Sequence, residues 1–148
     1  MEKIVILDGY VANSGDLSWD ALKKFGELTV YDRTAPDEVL ERAKEASVIY
    51  TNKVVITDEI MEALPKLKFI GVLATGYNNV DVEAARRRGI AVCNVPAYST
   101  ESVVQVVFAH LLNIVNGIAD YAVSVNSGEW SENRDFSYGC GHSLNCQG

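Results

Sequence analysis

Three short stretches of this sequence hold residue types that bind small anions, and each follows a run of apolar residues. Thr51-Asn52-Lys53 offers an amide and a cation. Ala74-Thr75-Gly76-Tyr77-Asn78-Asn79-Val80-Asp81 offers a glycine among polar residues, and Asn94-Val95-Pro96-Ala97-Tyr98-Ser99-Thr100 adds an amide and hydroxyls. In the middle stretch Gly76 lets the backbone approach a ligand closely. The successive amides of Thr75, Gly76 and Tyr77 can then form a concavity for a carboxylate. Asn79 and Asp81 are placed to cap the following helix and fix the loop. The same letters also suit a plain strand-to-helix turn in which Gly and Asn supply permissive backbone angles. On residue types alone both readings stand.

Elsewhere such residues are sparse. His110 falls inside a long apolar helical pattern and reads as a packing or interface histidine. Cys140, His142 and Cys146 lack a fourth ligand or a second pair, so no metal site is assigned. Gly139-x-Gly141-x-x-Leu144 imitates a dinucleotide-binding turn. It lacks the third glycine, a preceding strand and the acidic residue about 20 positions on that holds a ribose. Arg86-Arg87-Arg88 reads as a solvated helix C-terminus favoured by the helix dipole.

The elements that must position these loops alternate along the chain. Strands are expected at Lys3–Leu7, Leu28–Tyr31, Ser47–Thr51, Lys68–Leu73 and Ile90–Asn94. Between them lie expected helices. One covers Leu17–Phe25, opened by Asp16 or Ser18, and one covers Pro36–Ala46, with Leu40 and Ala43 on its apolar face. A third is capped by Thr57 and stopped by Pro65. The fourth covers Val80–Arg88 and is closed by Gly89 in the left-handed position. Strands apolar on both faces and separated by helices imply a parallel sheet covered on both sides. Five such units in about 95 residues suit a flavodoxin-like doubly wound α/β domain, whose ligands bind beyond the C-terminal ends of the strands. A long helix from Glu101 to Val125 follows, apolar nearly all round, which calls for a second domain or subunit to bury it. Gly128-Glu129-Trp130 is expected to end it.

Composition narrows the partners. Of 148 residues 48% are hydrophobic and 22% charged, as in a globular protein, and the formal charge of −7 argues against nucleic acid or an anionic membrane. The most apolar stretch, Val103 to Ala119, is interrupted by Gln105, His110, Asn113, Asn116 and Gly117, and is short for a bilayer span. The chain opens on a strand-like run, so no signal peptide is expected. Three cysteines without framework spacing suit a reducing cytoplasm.

Leu73 to Asp81, then Ala84-Ala85, Arg88-Gly89-Ile90 and Asn94 to Val103, resemble the D-isomer-specific 2-hydroxyacid dehydrogenases, with the variant nearest the glycerate dehydrogenase or hydroxypyruvate reductase branch. The similarity runs from the first strand to about Tyr138. It implies a substrate-binding domain over 1–98, an interdomain helix and the start of an NAD-binding domain over 99–138, and a homodimer. The loop at Thr75, Gly76 and Tyr77 would bind the substrate carboxylate through backbone amides, with Asn52 and Lys53 on the substrate side. Thr75 and Thr100 would lie near the cofactor, NAD or NADP. The implied reaction is reduction of a 2-keto acid such as hydroxypyruvate or glyoxylate, or oxidation of glycerate. Gln105 stands where many relatives carry Glu.

The Arg and His that perform the family reaction, and its Gly-rich turn, have no match in these residues, so no catalytic residue is assigned and the chain alone is expected to be inactive. Residues 139–148 are expected to be unstructured. They are read as a frameshifted tail, since Gly141 to Asn145 can be written in codons that, one base later, spell Asp-Thr-Pro-Leu. Two alternatives were weighed. A truncated, inactive binding or dimerising module remains open. A phospho-acceptor receiver-like domain would use Asp8, but the third strand ends in Thr51-Asn52 where such domains carry Asp.

Overall fold

The computed structural model describes residues 1–135, 137 and 139, which form two compact units, Met1–Tyr98 and Ser99–Gly148. The tail with Cys140, His142 and Cys146 lies outside the described residues.

In the first unit five parallel strands form one sheet: β1 (Glu2–Ile6), β2 (Gly26–Val30), β3 (Val48–Thr51), β4 (Phe69–Val72) and β5 (Ala91–Cys93), in the order β2-β1-β3-β4-β5. Ile4 sits opposite Leu28 on one side and Val48 on the other, so β1 is central. The strands expected from the apolar runs are all present, within a residue or two. Ile6, Leu7, Ile49 and Ile70 are completely buried, as a parallel sheet with helices on its faces requires.

The helices of this unit are short. They are α1 (Gly9–Ala12), α2 (Val39–Ala43), α3 (Asp58–Glu62) and α4 (Val82–Arg87). Two start signals act as the sequence implies. Thr57 accepts the Ile60 amide at the start of α3, and Asp81 accepts the Ala84 amide at 2.8 Å at the start of α4. Gly89, at φ 70°, closes α4 in the left-handed region. The basic run that ends α4 is tied to α3: Arg87 and Arg88 both pair with Asp58, and Arg88 reaches Glu62. Hydrogen bonding to Arg88, ahead of the coulombic attraction, holds the Asp58 carboxyl below its ordinary value.

Three expectations are corrected. Leu17–Phe25 is not an α-helix; only a 3-10 turn forms at Leu22–Lys24, and α1 lies earlier. The Asn13 side chain accepts the amides of Gly15 and Leu17 and donates to the Leu17 carbonyl at 2.6 Å. Ser18 likewise accepts the Asp20 amide. Such local side-chain bonds give the backbone an alternative to the helix. In the segment after Pro36, Val39 and Ala43 are buried while Leu40 is 44% exposed, because a 3-10 turn at Pro36–Glu38 rotates the helical face that follows.

The third correction concerns the second unit. The expected single helix is two, α5 (Thr100–Asn116) and α6 (Ile118–Asn126), meeting at 60°. Gly117 sits between them at φ 59°, where a left-handed residue ends one helix. Gly128, again left-handed, precedes α7 (Glu129–Glu132), so Glu129 and Trp130 begin a helical turn. Among the described residues no single helix is long and apolar enough to cross a membrane.

Gly71 is required where β4 passes beneath the Tyr50 ring, since a Cβ there would collide with that ring. Gly71→Ala is expected to lower stability by about 1–3 kcal/mol through overpacking. Asp81→Ala should cost about 1 kcal/mol through its lost cap. Urea unfolding followed by circular dichroism measures both.

Candidate functional site

Because all five strands run the same way, the loops after β1, β3, β4 and β5 gather at one edge of the sheet. This edge holds every candidate residue of the first unit. Asp8 follows β1, Asn52 and Lys53 follow β3, Thr75, Gly76 and Tyr77 follow β4, and Asn94 follows β5.

Parallel strands leave the polar groups of such loops without ladder partners, and side chains here supply them. Asn52 donates its side-chain amide to the Leu73 carbonyl at 2.8 Å, joining the β3 and β4 loops. Asn79 donates to the Val54 carbonyl at 3.1 Å and, more distantly, to that of Asn52. Backbone bonds from Ile56 to Asn79 and from Asp81 to Ile56 complete that seam. Asn94 donates to the Thr75 carbonyl at 2.7 Å, and Thr75 returns its hydroxyl to the Val95 carbonyl at 3.1 Å. Three asparagines therefore bind three loops into one surface. Of the two residues expected to cap α4, Asp81 does so, whereas Asn79 ties its loop to the β3 loop.

The Thr75–Tyr77 segment keeps its donors. Among the described residues none of the amides of Thr75, Gly76 and Tyr77 donates a hydrogen bond, although the carbonyls of Thr75 and Tyr77 are both engaged. All three residues are exposed. A loop held through its carbonyls, with successive amides free, is chemically suited to an anion. Asn52 commits one of its two side-chain N–H groups to Leu73. Lys53 is exposed and lines a hollow of about 340 Å³ with Asp8, Val11, Arg33 and Val55. Thr100 belongs to the second unit, as the first residue of α5.

Asp8 escaped the reading of these loops from residue types, which considered it only as a phospho-acceptor. It is 4% exposed, and its carboxylate accepts the amides of Asn52 (2.8 Å), Lys53 (2.5 Å) and Val54 (3.1 Å). The available signal was an acidic residue directly after the apolar run Ile4–Leu7 of an interior strand, a place where an uncompensated charge is costly. At the end of the outermost strand β5 Cys93 is exposed. Burial, and then the nearby Cys93, push the Tyr50 hydroxyl above its ordinary value.

Comparison with known proteins gives a consistent result. The family described as D-isomer specific 2-hydroxyacid dehydrogenase, catalytic domain, matches residues 4–134. A hydroxypyruvate reductase of Blautia hydrogenotrophica is 45% identical over 139 residues, covering 92% of this chain and 43% of the relative. A glycerate dehydrogenase of Methylorubrum extorquens is 35% identical over 113 residues, covering 76% of this chain and 36% of the relative. Among solved structures, an acyclic imino acid reductase in complex with NADPH and D-Arg superposes with a TM-score of 0.72 at 25% identity, covering 85% of this chain and 41% of that one. The chain thus spans about two fifths of the length of the proteins it matches.

The seam between the loops predicts a local effect. Asn79→Ala leaves the Asn52 carbonyl without its side-chain donor and the Val54 carbonyl with the Thr51 hydroxyl alone, and should cost about 1–2 kcal/mol. Amide hydrogen exchange at Val54 and Ile56 should accelerate more than at Ile49 in the core. Uniform acceleration, or none, would show that Asn79 does not fix these loops.

Proposed function

This chain belongs to the D-isomer specific 2-hydroxyacid dehydrogenase family, and from that premise we propose that its first unit, residues 1–98, is the substrate-binding part of an NAD(P)-dependent enzyme. The substrate is a small 2-keto or 2-hydroxy acid of the hydroxypyruvate, glyoxylate or glycerate kind. The observation that carries the reading is the Thr75–Tyr77 segment, with three successive amides free and its carbonyls tied down.

A carboxylate seated there receives donors whose directions are already fixed, so binding requires little ordering of the loop. Lys53 supplies the positive charge on the substrate side. Asn52 holds the β3 loop against Leu73 and thereby sets where that charge sits. The nicotinamide, when bound, supplies or accepts the hydride exchanged at C2 of the substrate. The donor set at Thr75 fits that neighbour: its hydroxyl is exposed, donates to Val95, and keeps lone pairs for a ligand donor. The family resemblance assigns Thr100, the first residue of the 17-residue α5, to the cofactor as well. The family names of the two curated relatives support the choice of acid, and the NADPH in the imino acid reductase complex supports the cofactor class.

A second property follows from α5. Val103, Val104, Val107, Phe108, Leu111 and Leu112 are each about half exposed, an apolar surface larger than a monomer ordinarily leaves to water. It supports a homodimer.

Two outcomes are expected. In heteronuclear NMR, D-glycerate should shift the amides of residues 51–53 and 74–78, with a dissociation constant on the order of millimolar, about −4 kcal/mol. Shifts confined to other loops would overturn the assignment. In sedimentation velocity the chain should associate as its concentration rises; a clean monomer throughout would count against the dimer.

A further inference from the structure

We propose that Asp8 is a positioning residue of this anion site, holding the Asn52–Val54 backbone so that Lys53 presents its charge to the ligand. The proposal rests on the function just given and deepens it.

Asp8 is held like a post. The Leu7 amide donates to the Tyr50 carbonyl at 3.0 Å, and the Gly9 amide to the Tyr31 carbonyl at 2.8 Å. The Thr34 hydroxyl donates to the Leu7 carbonyl at 2.5 Å. Neighbours on both sides of Asp8 are therefore bonded to the two strands flanking β1. From this post the carboxylate reaches the β3 loop, where one oxygen accepts Asn52 and the other accepts Asn52, Lys53 and Val54.

Three successive amides converging on one carboxylate form a charge-assisted set, stronger than neutral bonds of the same geometry. No basic side chain pairs with Asp8 among the described residues, so its charge is met by backbone amides. A carboxylate turned into three amides has its charge met locally, so it opposes an anion near Lys53 less than a bare one would.

The effect on Lys53 passes through its own backbone nitrogen, the shortest of these bonds. Val54 packs against the core, whereas the side chains of Lys53 and Val55 on either side of it are exposed, so packing does not hold Lys53 itself. Asn52 is clamped separately to Leu73. Releasing Asp8 would free Lys53 first.

The test is a double-mutant cycle on the full chain, with D-glycerate as probe, using Asp8→Asn, Lys53→Met and the pair. Asp8→Asn removes the charge and one of the two acceptors, so the set loses its charge assistance and faces an NH2 group on one side. Lys53→Met should weaken D-glycerate about fivefold, the value of one exposed charge. Asp8→Asn should weaken it similarly, and should add almost nothing in the Lys53→Met background. Amide exchange at Lys53 and Val54 should accelerate at least about tenfold in Asp8→Asn, beyond any change at Ile49. If Asp8→Asn does not fold, Asp8→Glu, which keeps the charge but displaces it by a methylene, should give the same pattern. An equal loss in both backgrounds would make Asp8 merely structural and overturn the proposal, as would normal binding by Asp8→Asn when Lys53→Met is impaired. If Lys53→Met binds normally, or the unaltered chain shows no shifts at 51–53 and 74–78 with tens of millimolar D-glycerate, the functional reading itself fails and the proposal falls with it.

Discussion

A parallel sheet satisfies the backbone inside its strands and leaves a problem where they end. At the C-terminal edge of this sheet each strand stops with donors and acceptors that no ladder partner meets, and leaving them buried without partners would cost more than any one contact there gains. The answer in this chain is a small set of polar side chains. Asp8 takes the amides of the β3 loop, Asn52 and Asn79 bridge the β3 and β4 loops, and Asn94 holds the β4 loop from the far side. These demands are met along this edge, and among the described residues the amides of Thr75, Gly76 and Tyr77 are among those that donate to no partner there.

That arrangement explains what was legible in the sequence. The strands are carried by apolar runs such as Ile4 to Leu7 and Phe69 to Val72, which report burial on both faces directly. Thr57, Asp81 and Gly89 announce helix ends because each does its work within a few residues of itself. The 13–20 segment misleads because Asn13, Ser18 and Asp20 bond locally, and hydrophobic spacing carries no trace of that competition. Leu40 and Val39 differ by one position, a rotation that only the 3-10 turn before them decides. Gly117 was visible as an interruption of an apolar stretch, but whether a glycine bends a helix depends on the φ it adopts.

Asp8 was hidden for a different reason. Its partners are 44 to 46 positions away, and they are backbone amides, which carry no residue identity. A motif reading sees side chains at fixed spacing and is blind to a side chain recognising a loop by shape. Asn52 was legible only by residue type, since the partner of one of its side-chain N–H groups, the Leu73 carbonyl, lies 21 positions away and is likewise backbone.

The same reasoning bears on how the anion site divides its labour. Backbone donors have no rotamers to lose, so once the carbonyls of Thr75 and Tyr77 are fixed the intervening amides are ordered without further expense of entropy. Lys53 is the opposite kind of group, a long exposed side chain whose charge is worth little unless its base is held. A site built from fixed dipoles and one mobile charge gains most from rigidity at the base of that charge. In this fold the amide at that base donates to the carboxylate of Asp8, which stands just past the end of β1.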